Sequence, residues 1–124
     1  MKKPTLLILA ILIISAMALS ACGGGGETAD DPAAAGKALF AETIIGTQAG
    51  CSTCHSLEAD TVIVGPSMAG IGSRSDAAAL RESILDPNAV LVDGFPADTM
   101  PPVWSDELSD EQVDQLVAYL LTLK

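Results

Sequence analysis

Cys51, Cys54 and His55 bring two thiols and an imidazole together within the run GCSTCHSLEAD, which spans residues 50–60. They are two of the chain's three cysteines and its only histidine. Cys-x-x-Cys alone is ambiguous. A redox dithiol of the thioredoxin kind needs a βαβ setting, which the sequence lacks. A zinc site needs about four ligands, and no second ligand cluster is present. A structural disulfide between Cys51 and Cys54 leaves His55 unexplained. Cys-x-x-Cys-His, by contrast, is the attachment signature of c-type haem. The two thiols add across the vinyl groups of haem, and the adjacent imidazole is held where it can bind iron.

That chemistry belongs outside the cytoplasm, and the N-terminus agrees. Lys2 and Lys3 precede an apolar run from Leu6 to about Leu19, followed by small residues. This is the layout of a secretory signal. At about 14 residues the run is short for a membrane span, which needs about 20. The ending Leu19-Ser20-Ala21-Cys22 resembles a bacterial lipobox, which makes residues 1–21 a removed signal peptide and Cys22 the lipidated first residue. An uncleaved anchor helix is the alternative, and it too leaves the domain beside a membrane. Residues 22–30 hold four consecutive glycines and read as flexible tether. The domain is then 31–124.

Composition narrows the partners. The full chain of 124 residues carries 16 acidic and 6 basic side chains, a formal net charge of −10. Loss of Lys2 and Lys3 with the signal takes this to −12. No basic face for nucleic acid is available. Four large aromatic rings are little material for a core, and small domains already bury too little surface. Haem itself would supply part of the middle.

The elements that must position these residues read as helices. Asp31 caps and Pro32 opens an alanine-rich helix through GKALF. SRSDAAALRESIL reads as a second helix, capped by Ser75 and stopped before Pro87. The third is the clearest. Ser109 and Gln112 form a capping box, and Val113, Leu116, Val117, Leu120 and Leu121 make one apolar stripe. Val62-Ile63-Val64 passes for a strand, yet nothing alternates beside it. The fold class expected is all-α.

Five stretches now resemble, in order, the small single-haem cytochromes c with His/Met ligation: GKALF, VGPSMAGIGSR, ESILDPNAVLVDGF, TMPP and LVAYLLTL. The resemblance covers residues 31–124 and implies three to five helices around one covalently bound haem c. It implies that Gly36 and Phe40 of the first helix pack on Leu116 and Tyr119 of the last. It implies that the Pro66 loop offers a carbonyl to the second imidazole nitrogen of His55, and that Arg74 faces a haem propionate. Outside the resemblance, Pro66 is a loop proline and Arg74 a solvated surface residue. The segment AETIIGTQAG, between Phe40 and Cys51, is longer than in many members of the family, and reads as an extended first helix or an inserted loop.

The resemblance implies a methionine as the second axial ligand, and since His55 is the only histidine, bis-histidine ligation within one chain is impossible. Met1 and Met17 leave with the signal, so Met68 and Met100 remain. Met100 stands where the family has its ligand, and Pro101 and Pro102 stiffen the loop after it. Met68 stands at an apolar packing position. Ile71, Ile84, Leu85, Val90, Leu91 and Phe95 are expected to line the pocket, and Trp104 either caps a haem edge or lies exposed under a loop.

Iron with two protein ligands has no open position, so the resemblance implies one-electron transfer, with no small-molecule substrate and no enzyme activity of its own. A Met ligand and a buried haem raise the reduction potential, which suits transfer from a quinol-oxidising complex to a terminal oxidase or photosynthetic reaction centre. A net charge of −12 favours a basic docking surface on the partner. A permanently bound haem subunit of a larger oxidoreductase complex is the alternative. A haem sensor or peroxidase would require a labile Met100.

Overall fold

The computed structural model describes residues 31–124. The signal segment 1–21, the tether 22–30 and Cys22 lie outside the described residues. Within them the chain runs α1 (Pro32–Ala41), β1 (Ile44–Ile45), β2 (Gln48–Ala49), α2 (Cys51–Cys54), α3 (Ile71–Arg74), α4 (Ala77–Leu85), α5 (Trp104–Glu107) and α6 (Asp110–Thr122). Three helices are nine residues or longer, and three are single turns of four residues.

The two outer helices begin as their sequences dictate. The Asp31 carboxylate accepts from the Ala33 amide, with Pro32 in the first turn. Ser109 and Gln112 form the reciprocal capping box of α6. The middle helix corrects the sequence expectation. Its cap is Asp76, whose side chain accepts from the Ala79 amide, and Ser75 is the extended residue that ends α3. Ser and Asp are equally able caps. The short turn Ile71–Arg74 decides between them by shifting the start of the helix one residue along.

Helix α6 organises the core. Its residues Val113, Leu116, Val117, Tyr119 and Leu120 are buried, together with Phe40, Ile45, Leu80, Ile84, Trp104 and Leu108. The most extensive packing joins α1 to α6. A Cβ on Gly36 would overlap the Gln115 carbonyl oxygen and come within 2.9 Å of Tyr119 Cβ, so only glycine permits this approach. One turn along, the Phe40 and Tyr119 rings meet at 5.6 Å in a tilted pair. From the other side, the Gly72 amide donates to the Leu123 carbonyl at 2.8 Å. Arg81 on α4 pairs with Asp110 and Asp114 on α6. Both partners are exposed, so this contributes little.

The segment before the cysteines is neither a longer helix nor a plain loop. Helix α1 stops at Ala41, and β1 and β2 form a minimal antiparallel hairpin, pairing Ile44 with Ala49 and Ile45 with Gln48. Gly46 takes the positive φ of 58° that the turn needs. Ile45 enters the core while Ile44 faces solvent. The turn is clasped by Glu107 of α5, whose carboxylate accepts from the Thr47 amide at 3.0 Å and from the Thr47 hydroxyl. Those bonds, the hydroxyl's foremost, hold the Glu107 carboxyl below the usual carboxylate range. A carboxyl lowered on folding stabilises above its unfolded range, and that contribution is lost as pH falls through the lowered value. Hydrogen exchange at the Thr47 amide is therefore expected to accelerate, relative to its neighbours, as pH falls below the ordinary glutamate range. In Glu107→Gln that extra acid dependence is expected to vanish. Matching pH profiles in the two proteins would refute the clasp.

Candidate haem site

The sequence Gly50-Cys51-Ser52-Thr53-Cys54 folds as one helical turn, α2. The Gly50 amide donates to the Thr43 carbonyl at 2.8 Å, which closes the hairpin onto the start of the turn. One turn brings positions three apart to the same side, so Cys51 and Cys54 project together. Both are free thiols and partly buried. Burial pushes the Cys51 thiol above its ordinary value. That is the reverse of the lowered thiol that disulfide-exchange chemistry uses. Among the described residues, no three of His, Cys, Asp and Glu gather in a way that could hold a bare metal ion.

His55 ends the turn in extended conformation and makes an isolated antiparallel bridge to Val62. That bridge is all that becomes of the Val62–Val64 strand candidate. The returning chain is pinned by the Val64 and Gly65 amides, which donate to the Cys54 carbonyl at 3.2 and 2.9 Å. It brings Pro66 under the imidazole, with Nδ1 of His55 2.8 Å from the Pro66 carbonyl oxygen. A carbonyl only accepts, so Nδ1 carries the proton and Nε2 keeps its lone pair. The ring is thus set as a ligand through one defined nitrogen.

Gly65 is a contact that sequence reasoning missed. A Cβ there would lie 2.5 Å from His55 Cε1 and 2.9 Å from Nδ1. The only signal was a glycine beside Pro66, and loop glycines are common. Gly65→Ala is expected to displace the imidazole and weaken the Nδ1–H to Pro66 bond. Exchange of that proton, followed by NMR on the reduced protein, should quicken by roughly tenfold. An unchanged exchange rate would show that the loop yields instead of the ring.

Pro66, Arg74 and Phe95 line one open cleft of about 310 Å³ with Ala59, Asp60, Val62, Ser67 and Ala69. Arg74 is partly committed to the loop, since its guanidinium donates to the carbonyls of Ser67 and Ala69. Met68, Ile71, Leu85 and Met100 pack partly buried against the edge of the core, and Ile84 lies within it. Val90 and Leu91 are not brought into the cleft; they are 68% and 47% exposed. Trp104 is buried, which disposes of an exposed ring under a loop. Its indole N–H is a buried donor without a partner.

These features fit a haem. The residues supply two adjacent thiols, an imidazole with one free nitrogen, and a thioether at the core edge. The open cleft beside Pro66 has Val62 and Phe95 on its apolar side and Asp60, Ser67 and Arg74 on its polar side, and is not itself lined by the cysteines, His55 or Met100. The polypeptide by itself leaves Val62, Ile63, Val64, Val90, Leu91 and Val92 between 47% and 68% exposed, a considerable apolar surface for so acidic a chain.

A family model described as Cytochrome c matches residues 33–124. No curated protein and no solved structure matches the chain.

Proposed function

Because the chain belongs to the cytochrome c family, we propose that it is a lipid-anchored one-electron carrier working on the outer side of a membrane between respiratory or photosynthetic complexes. Family membership makes it a haem-based electron-transfer protein with covalently attached haem c. When bound, that haem supplies an iron that gains or loses one electron. Cys51 and Cys54 would hold it through thioethers, and His55 Nε2 and the Met100 sulfur would ligate its iron.

The observation that carries this reading is the His55 Nδ1 to Pro66 bond at 2.8 Å. It fixes the tautomer and the ring's orientation, leaving Nε2 as the nitrogen with the free lone pair. The stiff Pro101-Pro102 pair after Met100 supports a permanent second ligand. A site closed on both sides keeps substrates from the iron, which favours transfer of electrons over catalysis. Met68, Ile71, Ile84 and Phe95 would exclude water around the group. The three guanidinium N–H groups of Arg74 that its two loop bonds leave over would be the donors for a propionate.

Attachment through Cys22 rests on the sequence Leu-Ser-Ala-Cys. Among the described residues no helix is long and apolar enough to cross a membrane. Two acyl chains give stable anchoring at about 0.8 kcal/mol per buried CH₂, while an acidic domain gains nothing from anionic headgroups. Nine residues of flexible tether would span roughly 15–18 Å, which would confine the domain without orienting it.

The test is a comparison of the anchored protein with a chain beginning at Glu27 behind an ordinary secretory signal. The released protein should keep its haem and spectrum, yet transfer electrons more slowly to membrane-bound partners. With a basic partner its rate should fall further as salt passes about 0.1 M, where the Debye length is about 10 Å. Cys22→Ser should block lipoprotein processing. Equal rates with and without the anchor at every ionic strength would refute the tethered-carrier reading. Extraction in mild detergent as a fixed complex with no free monomer would favour a permanent subunit.

A further inference from the structure

The loop that carries Met100 is long and thinly held. From Ala89 to Thr99 every residue is exposed except Phe95, which is half-buried. Within residues 93–100, its hydrogen bonds are local, such as Phe95 amide to Val92 carbonyl at 3.0 Å and Thr99 hydroxyl to Pro96 carbonyl at 2.9 Å. The exception is one reciprocal pair. The Asp98 amide donates to Asn88 Oδ1 at 2.9 Å, and Asn88 Nδ2 donates to Asp98 Oδ1 at 2.9 Å. Asn88 sits in the turn that follows α4, where the Ala89 amide donates to the Asp86 carbonyl. Asp98 lies two residues before Met100 with a positive φ of 60°. That is a conformation L-residues avoid unless the surroundings impose it.

We propose that Asn88 and Asp98 are positioning residues that hold the Met100 thioether at the iron. This rests on reading Met100 as the axial ligand. The amide of Asn88 uses an acceptor and a donor at once, so it fixes both the backbone and the side chain of Asp98. It thereby holds the left-handed kink after which Met100 turns inward to the core edge. On the far side Pro101 and Pro102 limit the backbone, so the ligand hangs between a clamp and a stiff strut. Sulfur is a weak, neutral donor and competes poorly with imidazole or cyanide when its loop is free to leave. A tied loop gives up little conformational freedom on coordination, which makes the bond harder to displace.

The experiment is an imidazole titration of the oxidised holoprotein, followed through the sulfur-to-iron charge-transfer band near the red end of the spectrum. Asn88→Ala is expected to let imidazole displace Met100 at roughly tenfold lower concentration, as loss of the paired bonds implies. Asp98→Asn keeps the Oδ1 acceptor and tolerates positive φ, so it should behave as wild type. Helical circular dichroism of both variants should match wild type, because both side chains lie away from the α1–α6 core. In a Met100→Ala background, where imidazole binding is read from the Soret shift because the band is gone, Asn88→Ala should add nothing, since there is no thioether left to hold. Wild-type imidazole affinity in Asn88→Ala, with Met100→Ala clearly opened, would overturn the clamp alone. A band that survived in Met100→Ala would instead overturn the ligand assignment, and the clamp's role with it.

Discussion

Met100→Ala is expected to abolish the charge-transfer band of the oxidised protein, open the reduced iron to carbon monoxide and lower the reduction potential. The shift should be a sizeable part of the roughly 0.8 V that axial ligands span. The reasoning is by donor chemistry. Thioether sulfur favours the reduced metal, and its loss leaves water or nothing as the sixth partner. Met68 provides the matched control, because it too lies partly buried against the core. Its amide is bonded to the Ser56 carbonyl at 2.8 Å, in the loop on the His55 side. Met68→Leu should keep the band and move the potential only slightly. A reversed outcome, with the band lost in Met68→Leu and kept in Met100→Ala, would exchange the two assignments.

The double variant Cys51→Ser, Cys54→Ser is expected to lose most of its helical circular dichroism. Eleven apolar residues form the buried core, of which only Leu116 and Val113 are essentially inaccessible. Against this stand six apolar side chains of the 62–64 and 90–92 stretches that the polypeptide leaves uncovered. Each large aliphatic side chain brought out of water contributes about 1.5–3 kcal/mol. Net stability of a small domain is only about 5–15 kcal/mol, so a group that covers several of them decides whether the fold persists. Without thioethers the segments 56–70 and 86–103 should be disordered first, followed by the α1–α6 pair. A native-like helical spectrum in the unloaded double variant would show that the core is sufficient without the cofactor.

Much of this was legible in the chain because the relevant signals are local. Cys51, Cys54 and His55 are contiguous. The capping box at Ser109 and Gln112 and the Asp31-Pro32 start are each complete within four residues. The Gly36 and Phe40 contact was legible only through the family likeness, since nothing in either helix alone names its partner. What stayed hidden depends on distant partners. The hairpin 44–49 has two residues per strand, too few for an alternating pattern, and its turn is held by Glu107, sixty positions from Thr47. Asp76 displaced Ser75 as a cap because a one-turn helix, too short for any periodicity, ends between them. Asn88 and Asp98 look like ordinary turn residues until the structure sets them opposite each other. Gly65 reads as a loop glycine until the imidazole is seen against it.

The packing of α1 on α6 also governs how fast the protein can form. Phe40 and Tyr119 touch across almost the whole length of the domain, so the most extensive packing in it is also among the most distant in sequence. Closing a loop of about eighty residues is slow because its entropy is lost before any burial repays it. Cys51, Cys54, His55 and Met100 converging on one group would divide that loop, leaving two short arms to find each other. Covalent loading is then a kinetic matter as well as a thermodynamic one. A chain awaiting its haem would linger with apolar segments open, and maturation would have to outpace proteolysis.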